Sequence, residues 1–289
     1  MNLIAILIVL LLEYFLGHLQ ELRDPGWFER YAGWLRERFG SEWEGPAAVA
    51  LVIVPAAGAV ALLQGLFGAI LFGLPGFLFA IVVLFYCIGP RDLAEDLKPY
   101  LEAHKAGDEA RAQRIAVRFL GEAAPDDPQR RDRAVLAGVL EQADERLFGV
   151  FFWFVLLGAV GAALYRMAAV LRRADEARFG VGFASAARFF YEVMEWIPAR
   201  LLALGYALSG SFDGAWQGWR RSRERRREGV LDTSPGVLVY TGFGALHLDA
   251  EEPGAPTAAQ LADGLRLVHR ALLMWLTVLA LLTLAGWAG

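Results

Sequence analysis

The residues best suited to chemistry lie in one apolar segment, 183–208, which reads FASAARFFYEVMEWIPARLLALGYAL. The segment carries four charged side chains: Arg188, Glu192, Glu195 and Arg200. A charge at the centre of a bilayer costs about 2.5–3.5 kcal/mol on insertion scales, whereas a Leu, Ile, Phe or Val returns only about 0.3–0.6 kcal/mol. Because the four charges outweigh the apolar side chains, the segment is predicted to pack inside a bundle, lie at the interface or line a polar cavity.

The spacing of these charges leaves two interpretations open. At about 100° per residue, Arg188, Glu192 and Glu195 fall on one face of a helix, and Arg188 and Glu192 can pair because they are four residues apart. Either Arg188 or Arg200 is predicted to be the partner of the two acids. That face is either a buried ion-pair network that fixes helix packing or a polar pocket for a ligand or ion. Glu13, late in the first apolar segment, is a further intramembrane candidate, although a side chain there can also snorkel to the surface.

The remaining residue patterns argue against several kinds of site. The histidines His18, His104, His247 and His269 are scattered, and the one cysteine, Cys87, lies in an apolar run. Neither a His/Cys metal site nor an internal disulfide is therefore predicted. The sequence has no P-loop, no Gly-rich dinucleotide turn and no nucleophile elbow. Its net charge of −4 gives no reason to expect a nucleic-acid partner.

The elements that must position these residues have the composition of membrane helices. The chain is 56% hydrophobic with a mean hydropathy of +0.39, too apolar for an ordinary soluble domain. Runs poor in charge predict about five transmembrane helices, which are 2–17, two in a hairpin over 45–90 with its turn near 64–75, 147–165 and 271–289. The predicted fold class is all-α, a polytopic helical membrane protein with one membrane domain, 1–289, and with 183–208 as an added membrane-embedded or interfacial helix.

Three other stretches are predicted to meet water. Residues 18–45 indicate an interfacial amphipathic helix, 90–146 a cytoplasmic helical insertion, and 209–270 a cytoplasmic loop followed by an amphipathic helix. The last two stretches hold ten and eight Lys or Arg, which places both in the cytoplasm. Six arginines between Arg220 and Arg227 are expected to attract anionic lipid headgroups. The four arginines within 166–182 do not fit this topology, because it places them outside.

Short motifs spread over nearly the whole chain resemble AmpE, a family of bacterial inner-membrane proteins linked to β-lactamase induction. They are the first span with Glu13, Leu63–Gln64–Gly65, Cys87–Ile88–Gly89, Phe152–Trp153, Trp196–Ile197–Pro198–Ala199–Arg200–Leu201 and Tyr206–Ala207–Leu208. The resemblance implies a multi-pass protein of the bacterial inner (cytoplasmic) membrane that serves antibiotic-resistance and muropeptide signalling as a non-catalytic regulator or sensor, without a cofactor. Its partners would be the lipid bilayer and a muropeptide-pathway protein or small ligand, with a homo-oligomer left open.

A second set of motifs is similar to the CobD/CbiB family, the membrane synthases that attach an aminopropanol arm to the corrin ring in cobalamin biosynthesis. They are Phe183–Ala184–Ser185–Ala186, the string from Trp196 to Leu201, Asp213 after a Ser-Gly turn, and Ser234–Pro235 ahead of Gly242 and Gly244–Ala245. This resemblance implies an ATP- and Mg²⁺-dependent corrinoid amide synthase, which is the alternative to the regulator. A transporter is the third interpretation, because intramembrane acids also suit ion pathways.

The chain departs from the synthase pattern just before its predicted fourth span. The family carries a Glu-Asn-Thr-x-Asp-Gly string where this chain has Glu141–Gln142–Ala143–Asp144–Glu145–Arg146, and 167–171 is apolar where the family has Leu-Asp-Ser-Met. Amide synthesis with ATP needs acids for a metal and small donors for phosphate, so the regulator is preferred and enzymatic activity is left uncertain. The secondary site candidates are Glu141, Glu145, Arg166, Asp213 and Ser234.

Overall fold

The computed structural model of the chain describes residues 2–16, 26–40, 43–69, 73–89, 93–121, 123–224, 234–250 and 256–286. These ranges contain helices and no strand, so the predicted all-α fold class is confirmed for them. A five-residue π-helical turn, Asp144–Phe148, links the seventh helix to the eighth. The helices are α1 (Asn2–Leu16), α2 (Gly26–Phe39), α3 (Gly45–Gly68), α4 (Leu74–Cys87), α5 (Leu93–Ala106), α6 (Glu109–Leu120), α7 (Pro128–Ala143), α8 (Gly149–Leu157), α9 (Ala159–Leu171), α10 (Glu176–Phe179), α11 (Val181–Ser209), α12 (Phe212–Glu224), α13 (Ser234–Ala245) and α14 (Ala258–Leu284).

The helices form two compact units. The first unit comprises Met1–Pro90, Glu145–Glu195 and Leu279–Gly289, and the second comprises Arg91–Asp144 and Trp196–Val278. The predicted charged helix is present as α11, which is continuous from Val181 to Ser209. It contributes to both units, because the boundary falls between Glu195 and Trp196. The proposed division into a membrane domain with cytoplasmic insertions stays a prediction.

Two of the described helices, α3 and α14, are long and apolar enough to cross a membrane. At 1.5 Å per residue they reach about 36 and 40 Å, against about 30 Å for the hydrocarbon core of a bilayer. The other apolar helices are shorter: Asn2–Glu13, Leu74–Cys87 and Ala159–Leu171. The predicted hairpin within 45–90 is confirmed, since α3 ends at Gly68 and Pro75 lies in the first turn of α4. The predicted count of five spans is not confirmed.

The predicted fourth span, 147–165, consists of two helices. Gly158 separates α8 from α9 with a φ of 66°, in the left-handed region that residues with a side chain rarely adopt. The side-chain oxygen of Gln64 accepts a hydrogen bond from the backbone N–H of Val160 at 3.3 Å, which satisfies a donor at the start of α9. Helix α8 has nine residues and reaches only about 14 Å, so it is too short to span a bilayer.

Helices α5, α6 and α7 of the second unit are separated by residue types that commonly end and begin helices. Gly107 and Asp108 separate α5 from α6, and the Asp108 side chain accepts a hydrogen bond from the backbone N–H of Arg111 at 2.9 Å. Asp127 caps α7 in the same way through the N–H of Arg130 at 3.0 Å. Such caps satisfy N–H groups that a helix start leaves without an intrahelical acceptor.

Helices α12 and α13 of the second unit approach each other closely through glycines, a feature that the sequence analysis missed. A Cβ at Gly214 would lie 2.2 Å from the carbonyl oxygen of Gly244, and one at Gly218 would lie 2.0 Å from that of Tyr240. The spacing of four residues puts these contacts on one face of each helix. The chain after α12 carries the rest of the arginine-rich stretch, but 225–233 lies outside the described residues, so its contact with lipid headgroups stays a prediction.

Candidate functional site

The charged residues of α11 have different surroundings in the first unit. Glu195 is buried, with 3% of its surface exposed, whereas Glu192 is partly buried and Arg188 is exposed. Arg188 does not pair with Glu192 but donates a hydrogen bond to Glu176 Oε1 at 2.7 Å. Glu176 begins the short helix α10 just before α11 and reaches the exposed side of α11 that Arg188 occupies. The predicted Arg188–Glu192 pair is therefore wrong.

Arg200 lies on the part of α11 that belongs to the second unit. Its guanidinium stands 4.0 Å from the centre of the Trp196 ring, and its Nη1 donates to the Trp196 carbonyl oxygen at 2.7 Å. Both contacts lie within one helical turn. A cation over an indole face is attracted by the ring quadrupole, which accounts for this arrangement.

Glu195 is held by a pair of buried tyrosines. The Tyr191 hydroxyl, one turn earlier on α11, donates to Glu195 Oε1 at 2.9 Å. The same hydroxyl lies 3.3 Å from the Tyr165 hydroxyl of α9, and both tyrosines are buried. The guanidinium of Arg172 lies 4.5 Å from the centre of the Tyr191 ring. Glu195 is thus connected through Tyr191 to a cation at the end of α9.

Glu145 is the second buried acid of the first unit, and it faces two arginines. Arg172 forms an ion pair with Glu145 Oε2, and Arg173 donates to Glu145 Oε1 at 2.9 Å. Glu145 lies in the π-helical turn, a rare element that often occurs at functional sites. Arg146 follows it, and the Arg146 carbonyl oxygen accepts a hydrogen bond from the Gly89 N–H at 3.1 Å.

These side chains form one polar group in the first unit, which we call the Glu145 cluster: Glu145, Tyr165, Arg172, Arg173, Tyr191 and Glu195. It contains two guanidinium groups and two carboxylates. Burial disfavours the charge of Arg172, but the acids around it, Glu145 first, outweigh burial and hold its pKa above the usual range. Arg173 remains 63% exposed in its side chain. The cluster is therefore a mostly buried ion-pair group with one arginine open to solvent, and an accessible guanidinium suits the binding of carboxylate or phosphate groups.

Two other predicted residues of the first unit lie apart from these contacts. Arg166, on α9, lines an apolar cavity and makes no hydrogen bond or ion pair with the described residues. Glu13, near the end of α1, is partly buried. The structure thus brings Glu145 and Glu195 into one site, while their roles stay predictions.

Asp213, a candidate in the second unit, lines a cavity of about 410 Å³ beside the close crossing of α12 and α13. Arg221 and Asp249, which also line it, form an ion pair. His247 adjoins them with a φ of 57°, which is uncommon for a residue other than glycine. This cavity has mixed charge, and nothing in its lining selects one ligand chemistry.

Ser234 and Glu141 are the remaining candidates of the second unit. Ser234 begins α13 and is buried, and its hydroxyl has no hydrogen-bond partner among the described residues. Glu141 lies near the end of α7 and is partly buried. Neither residue is part of the Glu145 cluster as defined above, so the roles of both stay predictions.

The sequence analysis did not single out the arginines and tyrosines that complete the Glu145 cluster. One signal could have indicated Arg172 and Arg173: they lie in 166–182, the stretch whose charge contradicted the predicted topology. Tyr191 could have been found from its position four residues before Glu195, within reach of a hydrogen bond along the helix. Nothing in the sequence indicates that Glu145 and Glu195 share a site, since they are fifty residues apart (195 minus 145).

A divalent metal is implied for the synthases that this chain resembles, but the described side chains do not form a site for one. These ranges hold no group of three or more His, Cys, Asp or Glu residues that could ligate a metal ion. Within the Glu145 cluster, the Glu145 oxygens are engaged by arginines and one Glu195 oxygen by a tyrosine. We therefore derive no chemical step through a protein-bound metal.

Comparisons with known proteins identify relatives along most of the chain. The family model described as CobD/Cbib protein matches residues 6–229. The cobalamin biosynthesis protein CobD of Stutzerimonas stutzeri is 31% identical over 309 aligned positions, covering 98% of both chains. The protein of the same name from Chromobacterium violaceum is 29% identical over 257 positions, covering 80% of this chain and 77% of the relative. No solved structure matches significantly.

These matches correct the functional prediction. The preferred interpretation, a non-catalytic regulator of β-lactamase induction of the AmpE type, is wrong, because the family model and both relatives carry the cobalamin-biosynthesis name. The resemblance to CobD/CbiB proteins is confirmed. The relatives and the two long apolar helices also agree with the prediction of a membrane protein.

Proposed function

We propose that this chain, which belongs to the CobD/CbiB family, is a membrane enzyme of cobalamin biosynthesis that joins a corrinoid carboxylic acid to an amino-alcohol arm. The proposal rests on the match to named cobalamin biosynthesis proteins along 98% of the chain. The Glu145 cluster supports it, because a guanidinium that is open to solvent suits a reaction with carboxylate and phosphate substrates. The protein would be a multi-pass protein of the bacterial cytoplasmic membrane, with the shorter apolar helices also entering the bilayer.

The reaction forms an amide bond between the carboxyl carbon of the corrinoid and the nitrogen of the amino alcohol. A carboxylate does not release its oxygen unaided, so ATP supplies a phosphoryl group with which that oxygen departs as phosphate. The ammonium form of the amine must lose one proton to become a nucleophile, and the nitrogen loses a second proton after attack to give the neutral amide. The site therefore has to hold negative charge on carboxylate and phosphate oxygens and to accept a proton from the nitrogen.

The arginines of the Glu145 cluster meet the first of these requirements. Arg172 is fixed by its ion pair with Glu145 and by its position over the Tyr191 ring, so its donors are ordered before substrate binds. Arg173 pairs with the same carboxylate but is largely exposed, so it can exchange Glu145 for a substrate oxygen. A planar guanidinium binds carboxylate or phosphate through two parallel hydrogen bonds, which fixes orientation as well as charge.

Glu195 meets the second requirement as the proton acceptor. It is buried, and its Oε1 accepts the Tyr191 hydroxyl hydrogen. An ionised carboxylate is an acceptor at both oxygens and can take up a proton. The hydrogen bond fixes the carboxylate in one orientation. The Arg172 guanidinium lies over the face of the Tyr191 ring. Tyr191 therefore positions Glu195, which would accept the proton, relative to Arg172, which would bind the anion.

The test is synthesis by the purified protein. Wild-type protein in detergent, supplied with cobyric acid, 1-amino-2-propanol or its phosphate ester, ATP and Mg²⁺, is expected to form the corresponding cobinamide, which chromatography detects. Arg172→Met is expected to lower kcat by roughly 10²–10³-fold, as removal of one preorganised donor commonly does. Glu195→Gln is expected to lower kcat by about 10²–10⁴-fold, the usual contribution of general base catalysis. Arg188→Met is the matched control, because Arg188 is an exposed arginine of α11 that pairs with Glu176.

The outcomes separate the parts of the proposal. If folded wild-type protein forms no product with 1-amino-2-propanol and none with its phosphate ester, the proposed activity is overturned. Product from wild type, with both variants as active as Arg188→Met, would keep the activity but place it away from the Glu145 cluster. If Glu195 accepts the proton, kcat of the wild type is expected to rise with pH, and Glu195→Gln should lose this rise. A merely structural defect would instead lower kcat by a similar factor at every pH.

A further inference from the structure

A second cavity of the first unit, of about 240 Å³, lies among helices α2, α3, α4 and α9. Its walls are almost entirely apolar and include Val60 of α3, Val82 of α4, and Ala163 and Met167 of α9. Val82 is also 64% exposed on the surface of the unit. The cavity therefore adjoins an apolar surface of the kind that faces lipid, which makes a water-soluble metabolite a poor match for its walls.

Among the described residues that line this cavity, Arg166 is the charged one. The described residues offer Arg166 no hydrogen bond and no ion pair, although Glu145 is near enough to act on its charge from a distance. Arg173 and Arg146 also act on it, and both are cations. A guanidinium within apolar walls is costly unless an anion accompanies it, so the geometry calls for a negative group brought by a ligand.

Two aromatic residues that line the same cavity have the character of membrane-interface residues. Trp27 is 48% exposed on the amphipathic helix α2, and its indole N–H donates to the Tyr86 hydroxyl of α4 at 2.5 Å. Tryptophan and tyrosine are enriched where headgroups meet the hydrocarbon. The cavity thus combines apolar walls, an arginine and interfacial aromatics, which together match the acyl chain, the anionic headgroup and the boundary region of a lipid.

We propose that this cavity is a binding site for an anionic membrane phospholipid, with acyl chain against Val60, Val82, Ala163 and Met167 and phosphate on Arg166. The charge of Arg166 makes the site select anionic over zwitterionic headgroups, because the latter carry a cation of their own that the neighbouring arginines repel. The inference concerns binding alone and does not depend on the proposed amide synthesis.

The test compares two lipids on the full-length protein in detergent. Binding of 1-palmitoyl-2-oleoyl-phosphatidylglycerol and of the matching phosphatidylcholine is measured by native mass spectrometry. Wild type is expected to retain one phosphatidylglycerol with at least tenfold higher affinity than phosphatidylcholine. Arg166→Met should reduce that preference to about twofold or less, and Ala163→Trp, which fills the cavity, should lower the binding of both lipids at least tenfold. Arg188→Met, which removes an exposed arginine, should behave as wild type.

The results that overturn the proposal are distinct. A tenfold preference that survives in Arg166→Met, or no preference in wild type, contradicts it. If Ala163→Trp does not fold, Val60→Trp fills the cavity from α3 and replaces it in the comparison. Inorganic phosphate at 10 mM is the last arm: if it displaces phosphatidylglycerol completely, the site binds a free anion and the lipid assignment is wrong.

Discussion

Replacement of Glu145 by glutamine tests the electrostatics of the cluster most directly, because it removes a charge and keeps the side-chain volume. Removing one member of a buried ion pair typically costs about 3–5 kcal/mol, since the partner charge is left buried without compensation. Here the Arg172 side chain is 27% exposed and the Arg173 side chain 63% exposed, so water can rehydrate Arg173 in particular. We therefore expect Glu145→Gln to destabilise the protein by about 3 kcal/mol, the lower end of that range.

Thermal unfolding in detergent at a fixed scan rate measures this effect. One kcal/mol shifts Tm by about 2–4 °C in chains of 150–250 residues, so Glu145→Gln should lower Tm by about 6 °C or more. Glu176→Gln is the matched control, because its pair with Arg188 is about half exposed on both sides and worth about 0–1 kcal/mol. Its Tm should fall by about 4 °C at most. Adding Arg172→Met to Glu145→Gln should restore part of the loss, because the unpaired cation is removed.

Equal shifts for Glu145→Gln and Glu176→Gln would refute this reasoning, because the argument depends on the difference in burial between the two ion pairs. A further fall in Tm on adding Arg172→Met would also refute it. That result would mean that the contact of Arg172 with the Tyr191 ring, rather than the charge of Glu145, stabilises this part of the first unit.

Two further predictions concern the second unit. Gly218→Ala should lower Tm by several degrees, because the added Cβ would lie 2.0 Å from the Tyr240 carbonyl oxygen and α12 would have to move away from α13. The control is Gly58→Ala, because nothing lies within 4 Å of the Cβ added there. Equal Tm values for the two variants would contradict the close crossing of α12 and α13. Burial, and after it a hydrogen bond to the Asp132 carboxylate, raise the pKa of Tyr100 in the folded protein above its usual range. The neutral tyrosine therefore stabilises the folded protein fully below about pH 10, the usual pKa of tyrosine. This contribution to the free energy of unfolding is lost as the pH rises through the higher pKa of the folded protein. Wild type should therefore lose stability more steeply than Tyr100→Phe between about pH 10 and 11 in chemical denaturation, and parallel curves would contradict this.

Much of the fold could be predicted because its signals are local. The hairpin of α3 and α4 follows from a long run without charge and from a proline suited to a first helical turn. The breaks around α5, α6 and α7 follow from Gly107–Asp108 and Asp127–Pro128, residues that end and begin helices wherever they occur. Gly158 could not be interpreted in the same way. Membrane helices tolerate glycine, and the positive φ that divides 147–165 depends on tertiary packing, including the contact with Gln64 on α3.

The site was predicted only in part, for a related reason. Insertion cost identified Glu195, and the resemblance to a motif identified Glu145, but neither argument indicates that they share a cluster. Their connection runs through Tyr191 and Arg172, and it exists only when the end of α9 packs beside α11. Helical spacing alone favoured Arg188 and Glu192 as partners. The spacing allows that pair, but Arg188 donates its hydrogen bond to Glu176, which lies on a different helix, α10.

The error in the predicted function came from the weight given to one short string. The synthase motif lacks its Asn, Thr and Gly here, and small donors were assumed to be the only way to hold a phosphate or carboxylate. Guanidinium groups bind the same oxygens with charge-assisted hydrogen bonds. Glu145 belongs to the segment that replaces the motif, and the side chains of Arg172 and Arg173 form ion pairs with it. The loss of the Asn, Thr and Gly residues therefore argues against one particular set of protein groups that could bind an anion. It does not argue against an anion-binding site. Similarity along 98% of the chain is then the stronger argument, because it reflects the whole fold that positions such a site.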